Sequence, residues 1–74
     1  MTDKIIRYIS QNAKSKRVKG VGYFISLQLD SERIEVKAED KLTGLIKLSN
    51  IILNDPYLRT FVEAEVIIRT FHLN

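Results

Sequence analysis

The chain has 74 residues, a hydrophobic share of 45%, no cysteine, one histidine and a formal net charge of +3. One domain covering residues 1–74 is expected at this length, and the hydrophobic share is evidence against disorder. The lack of cysteine excludes disulfides and thiolate metal sites, and His72 alone is a poor basis for zinc, so no metal or other cofactor is expected. No apolar run approaches the roughly 20 residues of a membrane span. We therefore expect a cytoplasmic protein without a membrane partner.

Positive charge is concentrated at the start of the chain. Residues 1–23 contain six Lys or Arg and one acidic residue, a net charge of 6 − 1 = +5. Residues 24–74 contain six Lys or Arg and eight acidic residues, a net charge of 6 − 8 = −2. This asymmetry indicates a basic surface formed by the first third of the chain.

The first predicted element is a helix over residues 3–14. Thr2 and Asp3 are good N-cap residues, and Ile5, Ile6 and Ile9 fall on one helical face. A strand over residues 4–10 is the alternative, because these isoleucines are β-branched.

A basic loop over residues 15–20 and a β-hairpin over residues 21–38 are predicted next. From Val21 to Leu29 every second residue is apolar, and the alternation resumes at Ile34 after a turn at residues 30–33.

The second half of the chain predicts a helix and then a strand. Glu39 and Asp40 favour a helix start, and apolar residues at spacings of three and four continue it to Asn54. Asp55-Pro56 suits a short helical turn over residues 56–60, after which β-branched residues favour a strand from Phe61 to Leu73. The predicted fold class is α+β, a two-layer sandwich in the order α-β-β-α-β. Its three-stranded, largely antiparallel sheet carries two helices on one face.

No catalytic constellation is present in the sequence. His72 is the antepenultimate residue, and no Gly-x-Ser-x-Gly segment provides a nucleophile. Gly20-Val21-Gly22 opens a strand, not a helix, and is not followed by Lys-Ser/Thr, which argues against a phosphate loop. An enzyme is not expected, and no small-molecule substrate is evident.

The basic segment Lys14–Lys19 is the first candidate binding surface. Lysine and arginine attract phosphates, and an adjacent aromatic strand offers stacking faces to unpaired bases. The candidate residues for binding a partner or nucleic acid are Lys14, Lys16, Arg17, Lys19 and Tyr23.

The second candidate surface is the apolar outer side of the predicted terminal strand. Its residues, expected to contact a protein partner or a second copy of the chain, are Phe61, Ile67, Phe71 and Leu73. Self-association is also expected because so small a domain has no disulfide or metal to stabilise it. The sequence thus favours a small non-catalytic binding or regulatory protein that acts by protein–protein contact, such as a modulator or inhibitor of a larger complex. The alternative is a nucleic-acid-binding protein that uses the same basic segment.

Overall fold

The computed structural model describes the backbone of residues 1–72 and the side chains of residues 1–71. Over this range the fold is mixed α+β, as predicted. Its elements are α1 (Thr2–Asn12), β1 (Lys14–Val18), β2 (Gly22–Leu29), β3 (Glu32–Ala38), α2 (Lys41–Asn54) and α3 (Pro56–His72). The element order α-β-β-β-α-α replaces the predicted α-β-β-α-β.

The three strands form one antiparallel sheet in the order β1-β2-β3. The predicted hairpin is confirmed as β2 and β3, whose connection consists of Asp30 and Ser31. Asp30 has a φ of 53°, a left-handed conformation that aspartate tolerates better than most residues.

Residues 15–20 are not the predicted loop, because Lys14–Val18 forms the edge strand β1. Its backbone pairs with β2, and the side chains from Lys14 to Arg17 all remain exposed. Lysines suit a sheet edge because they discourage pairing with another chain. The polarity of this segment therefore reflects its position at the edge of the sheet.

The predicted strand from Phe61 to Leu73 is wrong over the described residues, which continue α3 to His72. The Asp55 carboxylate starts this helix by accepting hydrogen bonds from the backbone N–H groups of Tyr57 (2.9 Å) and Leu58 (3.2 Å). Buried residues then recur every fourth position, at Leu58, Val62 and Val66. The helical period outweighs the β-branched composition because it gives the segment a continuous buried face.

The first helix is confirmed, ending two residues earlier than predicted, and the alternative strand over residues 4–10 is wrong. Helix α2 packs against β2 and β3, and α1 and α3 pack against α2 and each other. The side chains that are completely or almost completely buried between these elements are Ile5, Ile9, Ile25, Leu48, Ile52 and Val62. Each contributes about 1.5–3 kcal/mol through burial.

None of the helices within residues 1–72 combines the length and the apolar composition needed to cross a membrane.

Candidate nucleic-acid interface

The sheet has an apolar face turned to the core and an opposite face, here called the outer face. On β2 the buried Ile25, Leu27 and Leu29 belong to the core side. Because side chains alternate along a strand, Phe24, Ser26 and Gln28 belong to the outer face. Their cross-strand partners are all exposed. They are Lys14 and Lys16 on β1 and Arg33, Glu35 and Lys37 on β3.

Phe24 lies at the centre of the outer face between two lysines. It is directly opposite Lys16 on β1 and directly opposite Lys37 on β3. Directly opposed residues have Cβ atoms about 4.5–5.5 Å apart, so these three side chains form one row across the sheet. The aromatic ring is half-buried and both lysines are exposed. We call this row the Phe24 row.

The next row is formed by Lys14, Ser26 and Glu35. The Arg33 guanidinium lies 3.0 Å from the Glu35 carboxylate and donates a hydrogen bond to the Ser26 hydroxyl at 3.4 Å. The outer face carries four cations, Lys14, Lys16, Arg33 and Lys37, and one acid, Glu35, so that 4 − 1 = +3. Because Arg33 neutralises Glu35, the three lysines remain available to an anionic ligand.

A cavity of about 490 Å³ opens where β2 extends past the start of β1. Strand β1 begins at Lys14, opposite Ser26, so in the described part of the chain residues 27–29 have no strand neighbour on that side. We call this the edge cavity; its lining includes Tyr8, Asn12, Lys14, Ser26, Arg33 and Arg69. Arg33 is already paired with Glu35, but Lys14 and Arg69 are also cationic and none of the lining residues is acidic, so the cavity extends the positive charge of the outer face.

A second cavity, of about 530 Å³, lies between α1 and α3. We call it the α1–α3 groove; it is lined by Lys4, Arg7, Tyr8, Gln11, Val66, Arg69 and Thr70. Arg69 and Tyr8 also line the edge cavity, so the two cavities adjoin each other.

Arg69 is held in place between the two cavities. Its guanidinium lies 4.9 Å from the centroid of the Tyr8 ring and donates a hydrogen bond to the Asn12 side-chain oxygen at 3.1 Å. Burial, together with the negative charge of Glu65, raises the pKa of Tyr8 above its ordinary value, and Arg69 opposes this shift. Tyr8 is therefore neutral at physiological pH and offers a π face to the arginine.

The structure brings only part of the predicted basic site together. Lys14 and Lys16 are on the outer face, whereas Arg17 is opposite Tyr23 on the other side of the sheet, and Lys19 lies in the turn before β2. The aromatic residue beside the lysines is consequently Phe24 instead of Tyr23.

Several cations of this surface were not singled out from the sequence. Lys37 could have been found, because a two-residue turn at Asp30 and Ser31 fixes the register that places Lys37 opposite Phe24. Arg69 could not, because its position beside Tyr8 depends on the packing of α3 against α1.

The residues predicted for an apolar interface lie on α3 in the part of the chain that is described. Phe71 is 74% exposed and Ile67 is 45% exposed, whereas Phe61 packs partly against the core. Leu73 lies outside the described residues.

The chain matches no protein-family model, no curated protein and no solved structure. Within residues 1–72 no three His, Cys, Asp or Glu side chains are grouped so that they could hold a metal ion. The geometry of the basic surface is therefore the basis for inferring a function.

Proposed function

We propose that this protein is a non-catalytic binding protein that holds single-stranded nucleic acid on the outer face of its sheet. In this proposal the domain has two layers, with the helices on one side of the sheet and the ligand bound on the other side. The observation that carries it is the Phe24 row, an aromatic ring flanked by Lys16 and Lys37 on the outer face.

The row supplies both interactions that bind an unpaired strand. A base can stack on the Phe24 ring, an interaction worth about 1–3 kcal/mol in alanine substitutions at such sites. The flanking lysines can contact the phosphates on either side of that base. Stacking requires a base with a free face, which a continuous duplex does not offer, and this favours a single strand as the ligand.

The neighbouring cavities extend the proposed binding surface. From the Phe24 row the cations continue through Lys14 into the edge cavity, and from there through Arg69 into the α1–α3 groove. We propose that the phosphate backbone of a longer strand follows these cations. Longer oligonucleotides should then bind more tightly and with a steeper dependence on salt.

The direct test measures the affinity for labelled single-stranded DNA and RNA of about 12 nucleotides, a length within the range of known single-strand sites. Fluorescence anisotropy at about 50 mM salt is the readout. Phe24→Leu keeps an apolar side chain on the sheet and removes the aromatic face. We expect it to weaken binding by roughly 5- to 150-fold, as the loss of one stacked base implies.

A matched control separates the site from overall charge. The double variant Lys16→Gln/Lys37→Gln removes two charges from the Phe24 row, and Lys41→Gln/Arg59→Gln removes one from α2 and one from α3, where neither residue lines the edge cavity or the α1–α3 groove. The first should lose affinity and the second should retain most of it. Equal losses in both, or wild-type affinity in Phe24→Leu, would show that the outer face is not the site. Tighter binding to a duplex of the same length would overturn the assignment to a single strand.

A second candidate function is regulation by protein–protein contact, in which the basic segment Lys14–Lys19 meets an acidic surface of a larger partner. The exposure of every side chain from Lys14 to Arg17 on the edge strand favours this candidate, because a row of exposed cations is complementary to an acidic protein surface. Polyglutamate distinguishes the two functions, since it offers negative charge without bases. If polyglutamate displaces the oligonucleotide at equal charge concentration and Phe24→Leu changes neither affinity, the protein-binding function is favoured.

A further inference from the structure

Helix α3 has a second apolar stripe besides the one that it buries in the core. The core stripe consists of Leu58, Val62 and Val66. The second, here called the α3 stripe, has spacings of four, three, four and three residues and consists of Tyr57, Phe61, Ala64, Ile68 and Phe71. At about 3.6 residues per turn it covers less than a quarter of the helix circumference and lies away from the core stripe.

Most of the α3 stripe is exposed, although Phe61 packs partly against the core. Tyr57 is 71%, Phe71 74% and Ile68 49% exposed, and Ile67, beside the stripe, is 45% exposed. The two aromatic rings alone therefore leave roughly 300 Å² uncovered. The largest apolar patch of a typical monomer is about 300–600 Å² and is often functional, and the complete stripe lies in this size range.

We propose that the α3 stripe is the interface of a homodimer, in which it packs against the same stripe of a second copy. The stripe contains no charged residue, so two copies can face each other without repulsion or an unpaired buried charge. Its alternating four- and three-residue spacing is the one by which helices pack side by side. A self-complementary patch of this kind is what a two-fold interface requires.

The order of side-chain sizes places the two-fold axis. Ala64 is at the centre of the stripe, with Phe61 and Tyr57 on one side and Ile68 and Phe71 on the other. A small central residue lets the helices approach closely, and the large residues at each end of one stripe then cover those of the other. A standard interface buries about 800 Å² per partner. The apolar stripe supplies the centre of such an interface, and the polar residues beside it on α3 supply the rim.

The dimer leaves the basic surface accessible. No residue of the α3 stripe lines the edge cavity or the α1–α3 groove. Self-association and nucleic-acid binding can therefore be tested independently, and a result that contradicts one proposal does not contradict the other.

The first test is the mass in solution, measured by light scattering and sedimentation from low micromolar to several hundred micromolar protein. The expected mass is twice the 8.6 kDa of one chain. Ile68→Glu places a charge in the stripe and should produce a monomer with unchanged circular dichroism. Leu42→Glu is the matched control, because Leu42 is an apolar residue of α2 with 69% exposure. This variant should remain dimeric.

The second test uses the absence of cysteine from the chain. Ala64→Cys near the axis should form a disulfide-linked dimer under mild oxidation, whereas Asn50→Cys, exposed on α2, should not. A wild-type protein that is monomeric throughout the concentration range would overturn the proposal. So would dissociation of the dimer by Leu42→Glu, or equal crosslinking of the two cysteine variants.

Discussion

Replacing Gly44 with alanine tests how closely α2 packs against the sheet. A Cβ atom built at this position overlaps Cγ1 of Ile25 and lies 3.3 Å from its Cδ1. Ile25 is completely buried, so its side chain cannot move into solvent. Overpacking of this kind costs about 1–3 kcal/mol. Alanine also gains about 1 kcal/mol of helix propensity over glycine.

Because the overlap is severe, we expect overpacking to cost about 2–3 kcal/mol, the upper part of the usual range. Subtracting the gain of about 1 kcal/mol in helix propensity leaves a net loss of about 1–2 kcal/mol in the free energy of unfolding. Urea denaturation monitored by circular dichroism measures it. The control compares Asn50→Gly with Asn50→Ala at an exposed position of the same helix, where alanine should be the more stable by about 1 kcal/mol. If Gly44→Ala stabilised the protein as well, the close packing of α2 on β2 would be refuted.

Two further predictions concern the turns and the start of α2. Gly22→Ala should destabilise the protein more than Gly20→Ala, as measured by thermal melting. Both glycines have positive φ, but a Cβ atom on Gly22 would lie 2.6 Å from the carbonyl oxygen of Ala38. A Cβ atom on Gly20 would have no described residue within 4 Å apart from its two neighbours in the chain. Hydrogen bonds from the backbone N–H and hydroxyl of Thr43 lower the pKa of Asp40. The ionised Asp40 carboxylate therefore stabilises the folded state above its unfolded pKa of about 3.9, and this stabilisation is lost as the pH falls through the lower pKa of the folded state. Asp40→Asn should reduce the loss of stability between neutral and acidic pH in urea melts, and an unchanged pH profile would argue against the cap.

The hairpin and the first two helices could be predicted because their signals are local. The alternation from Val21 to Leu29 and the three- and four-residue spacing before Asn54 each indicate one buried face. The position of Asp55-Pro56 also identified the start of α3. These elements could be predicted without knowing which other elements they pack against.

The other elements depend on tertiary context. The segment Lys14–Val18 has the composition of a loop and becomes a strand because β2 offers it a free edge to pair with. The residues from Phe61 onwards have strand-like composition, and the buried Val62 and Val66 make them helical because they fit the core formed by α1 and α2. Propensity is a weak guide where packing decides.

The candidate site was predictable in part for the same reason. The concentration of charge before residue 23 pointed to Lys14 and Lys16, which the structure places on the outer face. The choice between Tyr23 and Phe24 depended on which side of the sheet the core covers. That fact, like the position of Arg69, comes from the packing of the helices.

The dependence of affinity on salt tests the central claim most directly. Binding of a single-stranded oligonucleotide should be measured between about 50 and 200 mM salt for the wild type and for Lys16→Gln/Lys37→Gln. Each phosphate contact contributes about −0.7 to the slope of log affinity against log salt for single strands. If Lys16 and Lys37 contact phosphates beside Phe24, the variant's slope should be shallower by about 1.4. An unchanged slope would contradict the account, because it would show that phosphates do not bind at the Phe24 row.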